Sequence, residues 1–495
     1  MASRGKVGET GFATERLTMT RKHDYLIGRD WQKSSRTMPV TNPYTQEVIA
    51  EVCMADTAAI LQALESAERA FKTTRNQPAY IRSKICEQVS QGIQSRSDEF
   101  AKTIAMESGK PLVFARAEVN RSVSTFKIAA EEALRPHGEV LTLDITESAR
   151  GKSGITTRFP IGPIAGISPF NFPLNLVAHK VAPALATGNP IVLKPSSTTP
   201  LTALLLAEVI LQSDAVGGSI SILPCRGKDA GPMVEDDRFK MITFTGSPEV
   251  GWGIKSRAGK KRVTLELGGN AAVIIEPDAD LDFAAGKVAF GSFAYSGQVC
   301  ISVQRAYVHE SVFDLFLEKL LPAVNNLKSG DPLDESVNFG PMIDIANAER
   351  IESWVAQAKD DGAKILAGGP REESYYPPTI LTGVDPKSKV SCNEAFGPIL
   401  VLEPYSDFDH CIEQVNDSDF GLQAGLFTHH MDNSLKAFNR LEVGGLILND
   451  VPTFRVDNMP YGGVKNSGFG REGIRYSIEE MTEIKLLVFN NQKEM

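Results

Sequence analysis

The sequence has few cysteines, a shortage of basic charge and no long apolar run, and each shortage argues against one class of protein. The six cysteines lie far apart, without the CxxC or CxxH spacing of a zinc site or the density of a disulfide framework. Lysine and arginine number 52 against 61 aspartates and glutamates, and the net charge of −9 argues against nucleic acid as a partner. No apolar run approaches the roughly 20 residues of a membrane-spanning helix. We therefore expect no metal ion, no nucleic acid and no membrane as partners.

The N-terminal segment is polar and lacks the apolar core of a secretory signal. Its basic residues, Arg4 and Arg16 among them, are compatible with a transit peptide. However, Glu9, Glu15 and Asp24 fall in the same segment, and transit peptides are poor in acids. The sequence therefore predicts a cytoplasmic protein.

A chain of 495 residues is too long for one core, so we expect two or three domains. Amphipathic patterns predict one helix over 56–71, one or two helices over 81–108 and another over 112–134, which Pro136-His137-Gly138 ends. Alternating apolar residues over 140–145 and 155–159 predict a β-hairpin.

Short and nearly continuous apolar runs follow the hairpin. The runs lie at 164–168, 190–194, 220–224 and 241–244, with helical stretches such as 201–211 between them. This alternation predicts βαβ units and a parallel sheet covered on both faces. A second α/β pattern begins at residue 271, with strands at 305–308, 365–368 and 399–402. The closing run 483–489 alternates like a strand whose apolar face needs cover, because an exposed edge invites aggregation.

Three motifs carry candidate chemistry. Cys300 ends GQVC, Glu266 precedes a Gly-Gly turn in LELGGN, and Asn171 lies in the turn PFNFPL. A thiolate that attacks a carbonyl and a carboxylate that activates water together oxidise an aldehyde through a thioester. An amide N–H stabilises the oxyanion formed in between. Taken singly, these three residues are equally typical of a buried structural cysteine, a surface carboxylate and a turn.

Together and in this order, the three motifs resemble those of the aldehyde dehydrogenase superfamily. The resemblance implies an α/β fold with a Rossmann-like cofactor domain, an α/β catalytic domain and a β oligomerisation flap. Carried over to this chain, the cofactor domain spans 21–138 and 159–267, the catalytic domain 268–470, and the flap 139–158 and 482–495. The resemblance also implies that the closing strand pairs with another subunit in a homo-oligomer, either a dimer or a tetramer.

The resemblance and the local pattern agree on a nicotinamide cofactor. Gly246 and Ser247 follow an apolar strand, with Ser247 expected as a helix N-cap, and a helix start offers free N–H groups to a pyrophosphate. By resemblance, Glu394 holds the nicotinamide ribose and Phe396 lies against the ring. Without the other motifs, Glu394 would equally fit a solvated position ahead of a turn.

The choice of cofactor depends on a second group of residues. NAD-preferring relatives commonly carry Glu where this chain has Ser197, and a carboxylate there would repel a 2′-phosphate. Ser197 removes that repulsion and Lys194 adds positive charge, while Arg226 or Lys228 is placed to meet the same phosphate. We therefore predict NADP, with NAD as a second option.

Two arginines indicate the substrate. By resemblance, Arg455 lies in the loop that closes the aldehyde tunnel, and Arg121 faces the same tunnel from the helix over 112–134. Phe172, beside Asn171, is expected to line it. Paired guanidinium groups suit a carboxylate or a phosphate at the far end of a small aldehyde. The alternative for Arg121 is a solvated helix face.

Residues 297–305 together with Phe454-Arg455 resemble the moss-type plant group, family 21. That resemblance implies NADP-dependent oxidation of succinate semialdehyde to succinate, and with it a role in GABA degradation and stress responses. Glu266 favours release of a free acid, because relatives that transfer the acyl group to coenzyme A or phosphate generally lack it. Other hypotheses stay open: a phosphorylated or sulfonated three-carbon aldehyde, or a catalytically silent structural relative. Arg455 disfavours a general oxidiser of medium-chain aldehydes.

Overall fold

A computed structural model describes residues 21–135 and 138–490. The basic N-terminus, Pro136-His137 of the predicted helix breaker and the end 491–495 of the predicted flap lie outside the described residues. Within the described part, no helix has both the length and the apolarity needed to cross a membrane.

Helices occur in both the N-terminal and the C-terminal halves of the described chain. The α-helices are α1 (Thr57–Thr74), α2 (Ala79–Ser95), α3 (Ser97–Ser108), α4 (Leu112–Glu132), α5 (Asn175–Thr187), α6 (Leu201–Leu211), α7 (Gly231–Glu235), α8 (Pro248–Arg257), α9 (Leu281–Phe293), α10 (Phe313–Asn325), α11 (Ile345–Asp360), α12 (Lys389–Cys392), α13 (Phe408–Asn416), α14 (Met431–Arg440) and α15 (Ile474–Glu480). The helices predicted over 56–71, 81–108, 112–134 and 201–211 are confirmed as α1, α2 with α3, α4 and α6.

The strands are short, as their apolar runs predict. They are β1 (Arg21–His23), β2 (Tyr25–Ile27), β3 (Asp30–Gln32), β4 (Thr37–Thr41), β5 (Val48–Cys53), β6 (Val140–Thr142), β7 (Lys152–Pro160), β8 (Ile164–Ile167), β9 (Ile191–Lys194), β10 (Ile220–Ile222), β11 (Met241–Thr245), β12 (Arg262–Glu266), β13 (Ala272–Ile275), β14 (Arg305–His309), β15 (Lys364–Ala367), β16 (Thr379–Thr382), β17 (Ile399–Tyr405), β18 (Phe420–Gly421), β19 (Gln423–Phe427), β20 (Gly445–Leu448), β21 (Val464–Lys465), β22 (Gly468–Phe469) and β23 (Thr482–Asn490).

The first large sheet has the order β22-β12-β11-β8-β9-β10-β2-β3, and its five central strands are parallel. Its two faces pack on different cores. Ile191 and Leu193 of β9 pack in a core that includes α2 to α6, whereas Val192 packs in the core that includes α1 and α8. Because successive strand residues point to opposite faces, a continuous apolar run is what a sheet covered on both sides requires.

The second large sheet has the order β15-β16-β17-β14-β13-β19-β20, and all its pairs are parallel except β15 with β16. The predicted second α/β pattern is therefore confirmed. Strand pairing also connects the two halves, since β22, from the C-terminal part of the chain, pairs with β12 of the first sheet. The predicted domain boundaries themselves stay predictions.

The third sheet joins the predicted hairpin to the closing strand. The predicted hairpin forms between β6 and β7. Strand β23 lies at the edge of the order β23-β7-β6, so its pairing with another subunit stays a prediction. It pairs antiparallel with β7 of its own chain along its whole length, from Thr482 opposite Pro160 to Asn490 opposite Lys152. The alternating pattern of 483–489 predicts a strand but cannot indicate which copy of the hairpin lies next to it.

Four parallel strands of the first sheet end at the residues that matter for function. β8 ends at Ile167, β9 at Lys194, β11 at Thr245 and β12 at Glu266. The carboxyl ends of parallel strands meet at one edge of a sheet, where open α/β sheets bind their ligands. The fold therefore brings the Asn171 turn, Lys194, the Gly246 turn and Glu266 to the same edge.

Candidate active site

Cys300 lies on a loop with an unusual backbone. Tyr295, Ser296 and Gly297 all have positive φ, of 49°, 54° and 69°. A Cβ atom at position 297 would lie 2.2 Å from the carbonyl oxygen of Gly397, so only glycine fits there. The hydroxyl of Tyr295 donates to Ser108 O at 2.9 Å and fixes the start of the loop. Strained backbone of this kind persists only where the surrounding structure stabilises it. Here the strained segment leads directly to the half-buried Cys300.

The thiol of Cys300 contacts the hydroxyl of Tyr461, with 3.0 Å between Sγ and Oη. Burial raises the pKa of Cys300 to about 11, although the hydrogen bond from Tyr461 and the charge of Arg455 act in the opposite direction. The resting cysteine is therefore protonated at neutral pH. Since the thiolate is the nucleophile, a base has to take this proton before attack.

Glu266 is a candidate for that base. Its side chain lies at the end of β12, only 2% of the residue is exposed, and neither carboxyl oxygen has a hydrogen-bond partner among the described residues. Burial, followed by the negative charge of Glu472, raises the pKa of Glu266 well above its usual value. A buried carboxyl with a raised pKa can both take and return a proton near neutral pH.

Asn171 lies against the Cys300 loop. Its Nδ2 donates to Gln298 O at 2.9 Å, and its Oδ1 is buried without a partner among the described residues. An amide nitrogen carries two N–H groups, so one stays free for another acceptor. The structure therefore brings together the three predicted catalytic residues, Cys300, Glu266 and Asn171.

A buried ion pair holds the Asn171 turn in place. Lys110 pairs with Glu118, donates to Asn171 O at 2.6 Å and lies 3.9 Å from the ring centroid of Phe172. Glu118 in turn accepts from the backbone N–H groups of Leu174 and Asn175, at 2.9 and 3.1 Å. Sequence reasoning assigns Lys110 no role, because a lysine in a loop gives no sign of being buried.

Arg455 lies beside the nucleophile. Its guanidinium carbon is 3.7 Å from the ring centroid of Tyr461, and its Nη2 lies 3.3 Å from Glu472 Oε2. Burial alone would lower the pKa of Arg455, but Tyr461 and Glu472 raise it above its usual value, so the guanidinium stays charged. Glu472 also accepts from Lys180 Nζ at 3.0 Å.

Arg121 has a carboxylate partner of its own. Its Nη2 donates to Asp457 Oδ1 at 2.7 Å, and its side chain is 28% exposed, so it is not on a fully solvated helix face. Asp457 also lies 2.9 Å from His179 Nε2 and accepts from Asn175 Nδ2 at 3.2 Å. Asp457, His179, Glu472 and Tyr461 escape sequence reasoning, because only the fold brings them next to the predicted arginines.

A cleft of about 500 Å³ lies at the same sheet edge. Four of the residues predicted to bind the cofactor line this cleft: Lys194, Ser197, Gly246 and Ser247. The remaining lining residues are Ile167, Ser168, Pro169, Ser196, Gly227, Lys228, Ala230, Gly231, Val234, Phe244, Thr245, Val250, Ile254 and Arg257. The described lining thus contains cations but no carboxylate, and the start of α8 adds free N–H groups. Such a cleft fits a phosphate-bearing nucleotide.

Two details of the cleft differ from expectation. Of the two alternatives for the 2′-phosphate, Lys228 lines the cleft from the short helical turn Gly227–Asp229, whereas Arg226 is exposed and does not line it. Arg257, which the sequence does not indicate, also lines the cleft. Ser247 precedes α8 with extended backbone, but its side chain makes no capping hydrogen bond. That hydroxyl is therefore left for another partner.

Glu394 and Phe396 lie between the Gly-Gly turn and the aromatic turn. Glu394 Oε1 accepts from Gly269 N at 3.0 Å, and burial raises its pKa to about 7. Phe396 packs edge-on against Phe170, with 5.7 Å between ring centroids. Both residues are next to the Glu266 and Asn171 motifs. The contacts of Glu394 with the nicotinamide ribose and of Phe396 with the ring stay predictions.

Comparison with known proteins identifies one family and several close relatives. The Aldehyde dehydrogenase family matches residues 31–487. The 3-sulfolactaldehyde dehydrogenase of Priestia megaterium is 44% identical over 475 residues, covering 96% of this chain and 99% of that protein. The crystal structure of aldehyde dehydrogenase 21 from Physcomitrella patens in complex with the reaction product succinate is 43% identical, with a TM-score of 0.94, covering 96% of this chain and 100% of that one. The crystal structure of glyceraldehyde-3-phosphate dehydrogenase from Methanocaldococcus jannaschii complexed with NADP is 40% identical, with a TM-score of 0.89, covering 92% and 100%.

These similarities confirm the predicted superfamily, the resemblance to family 21 and the predicted α/β fold. The prediction of a nicotinamide cofactor, NADP with NAD as a second option, is also confirmed at the level of the family. The preference between the two cofactors and the aldehyde itself are separate questions.

Proposed function

The chain belongs to the aldehyde dehydrogenase family, and on that premise we propose that it oxidises succinate semialdehyde to succinate with NADP. One observation carries the choice of an anionic aldehyde. The guanidinium of Arg455 lies over the ring of Tyr461, whose hydroxyl contacts the Cys300 thiol, so a buried cation stands one side chain away from the nucleophile. An uncharged aldehyde would leave that cation without a new partner.

The residues divide the proposed reaction between them. Glu266 takes the proton of Cys300, and the sulfur attacks the aldehyde carbon to form a C–S bond. The free N–H of Asn171 donates to the resulting oxyanion. The nicotinamide, when bound, supplies the acceptor for the hydride that leaves this carbon with two electrons. Glu266 passes the first proton to solvent and then takes a proton from the water that attacks the thioester. The C–S bond breaks, and the acid and the Cys300 thiolate are released.

The preference for NADP over NAD is part of the proposal. Ser197 Oγ donates to Cys225 O at 3.4 Å, and Lys194, Lys228 and Arg257 surround the same cleft. Burial lowers the pKa of Lys194, so an anion close to it would favour its charged form. A 2′-phosphate placed there meets cations and no carboxylate of the described lining.

A sulfonated three-carbon aldehyde is the second candidate. The relative from Priestia megaterium is named for 3-sulfolactaldehyde and is as similar to this chain as the plant protein is. Both aldehydes end in a group with one negative charge. A homo-oligomer, dimer or tetramer, and a cytoplasmic location also stay predictions from sequence.

The direct test is steady-state reduction of NADP and of NAD with a panel of aldehydes. The panel holds succinate semialdehyde, 3-sulfolactaldehyde, glyceraldehyde 3-phosphate, propanal and hexanal. We expect the highest kcat/KM with succinate semialdehyde and NADP. A Glu266→Gln variant should release at most one NADPH per site and then stall, because the thioester forms but water is not activated. Highest activity on propanal or hexanal would contradict the proposed substrate, and higher activity with NAD would contradict the proposed cofactor.

A further inference from the structure

The two predicted substrate arginines are not free cations. Arg121 donates to Asp457 at 2.7 Å, and only 5% of the surface of Asp457 is exposed. Burial alone would raise the pKa of Asp457, but the hydrogen bonds from His179 and Arg121 lower it far below its usual range. Asp457 is therefore ionised at any pH at which the enzyme is assayed, and it neutralises Arg121.

The second arginine shares its counterion. Glu472 lies 3.3 Å from Arg455 and 3.0 Å from Lys180. Burial alone would raise the pKa of Glu472, but the charges of Lys180 and Arg455 lower it to about 2. Three cations linked to two carboxylates leave one net positive charge in the whole group.

The neighbouring titratable groups differ in the charge that they carry near neutral pH. Burial, then the charge of Arg455, lowers the pKa of His179, so its ring is neutral. Burial raises the pKa values of Cys300 and Tyr461, so both are neutral near neutral pH. Burial, followed by the charge of Glu472, also raises the pKa of Glu266, which disfavours a permanent negative charge there but leaves it able to take and return a proton. Arg471 is charged but donates to the carbonyl oxygens of Gly463 and Gly470, outside the linked group. On the side of α4, Lys110 is matched by Glu118.

We propose that Asp457 is a specificity-determining residue that restricts the substrate to aldehydes whose distal group carries one negative charge. By neutralising Arg121, it leaves a single positive charge for the ligand, which matches a carboxylate or a sulfonate. A phosphate dianion bound there would carry two negative charges against one net positive charge, and it would be repelled by the Asp457 carboxylate. The proposal rests on the proposed function, since it refines the substrate class of that site.

Unpaired polar atoms mark where the distal group is received. Arg121 Nε and Arg455 Nε are both buried without a partner among the described residues, although each arginine already holds a carboxylate through Nη2. His179 Nδ1 is also unpaired there. Buried donors without partners are costly, so the remaining guanidinium N–H groups are available to an anion of the substrate.

The first test uses the wild-type enzyme and the second ionisation of phosphate. Below a pH of about 6 a phosphate monoester carries a single charge, while succinate semialdehyde keeps one charge throughout. We expect the ratio of kcat/KM for glyceraldehyde 3-phosphate to that for succinate semialdehyde to rise by about tenfold or more between pH 8 and pH 5.5. Titration of the enzyme's own groups affects both substrates and cancels in the ratio. Where turnover of the phosphate is too slow to follow, its competitive inhibition constant is measured over the same range. A ratio that is flat or falls towards low pH would overturn the proposal.

The second test changes the charge of Asp457 itself. In Asp457→Asn the ratio of kcat/KM for the phosphorylated over the carboxylated aldehyde at pH 8 should rise by about tenfold, mainly through KM, and its dependence on pH should weaken. Asp457→Glu should restore the wild-type ratio. Asp450→Asn is the matched control, because Asp450 pairs with Lys287 at 2.8 Å on the same segment of chain, outside the linked group.

The outcomes separate the two proposals. An enzyme that oxidises succinate semialdehyde but shows the same ratio in Asp457→Asn and in wild type retains its proposed function and contradicts the role of Asp457. A wild-type enzyme inactive on both monoanionic aldehydes contradicts the proposed function instead. Should Asp457→Asn fail to fold, the dependence of the kcat/KM ratio on pH in the wild type still tests the proposed restriction to substrates with one negative charge.

Discussion

The contact between the Cys300 thiol and the Tyr461 hydroxyl governs how readily the nucleophile ionises. A hydroxyl that donates to sulfur stabilises the thiolate more than the thiol. We therefore expect Tyr461→Phe to raise the pKa of Cys300 further, and to slow its alkylation by iodoacetamide at any pH below about 10 by roughly tenfold, which corresponds to about one unit of pKa. In the wild type the same rate should rise with pH up to the Cys300 pKa of about 11.

The rate is measured on the Cys300 peptide by mass spectrometry, since five other thiols are present. Tyr307→Phe is a suitable control, because Tyr307 is also buried and also has an arginine, Arg305, beside its ring at 5.9 Å. That tyrosine does not contact Cys300, so its removal should leave the labelling rate unchanged. Equal rates in Tyr461→Phe and wild type would mean that the hydroxyl does not act on the thiol.

Single residues were predictable from sequence only where a motif surrounds them. Cys300, Glu266 and Asn171 lie in short strings with glycine or proline at fixed positions, and the structure brings all three together. Asp457 and His179 lie in no such string, and their meeting at 2.9 Å depends on how α5 packs against a loop almost 280 positions later. The sequence leaves Arg226 and Lys228 as alternatives for the cleft, because a sequence does not indicate which way a turn faces, and only Lys228 lines it.

At the level of secondary-structure elements, the buried pair of Lys110 and Glu118 connects the start of α4 with the turn before α5. Both side chains are at most 1% exposed. Removing one member of such a pair leaves an uncompensated buried charge, which typically costs about 3–5 kcal/mol. We expect Lys110→Met to lower the free energy of unfolding by that amount, and to lower kcat as well, because Asn171 O loses its donor.

The measurement is urea denaturation together with steady-state kinetics. The double variant Lys110→Met with Glu118→Gln should lose less stability than Lys110→Met alone, since no charge is left buried. Lys261→Met is the matched control: its side chain is 3% exposed, but its partner Asp237 is 94% exposed, so its removal strands no buried charge. A double variant less stable than the single one would contradict this account of the pair.

Strands and helices were easier to predict than single contacts, for a physical reason. A strand buried on both faces, such as β9, must be apolar at every position, and a helix such as α1 must repeat its apolar residues every three to four positions. These patterns are local. The pairing of β22 with β12, which connects distant parts of the chain in one sheet, leaves no local pattern and was not predicted.

For the whole molecule, the exposed sheet of β6, β7 and β23 is the surface on which we expect subunits to assemble. Val140, Ile155 and Leu487 stand side by side in the register of the three strands, and they are 85%, 40% and 54% exposed. A row of apolar side chains on one face of an exposed sheet is typical of a contact with another protein. β23 pairs with β7 of its own chain and is the edge strand of this sheet, and we expect another copy to cover the apolar face.

A charge in the middle of that row should therefore separate the subunits. We expect Leu487→Glu to shift the mass in solution from that of a dimer or tetramer towards that of a smaller species, because burying the new carboxylate costs more than the interface returns. Light scattering after size-exclusion chromatography gives the mass directly. Leu315→Glu is the matched control, since Leu315 is 49% exposed on α10 and lies outside the sheet. A Leu487→Glu protein that keeps the wild-type mass would place the contact between subunits elsewhere, and the apolar row would then need another partner.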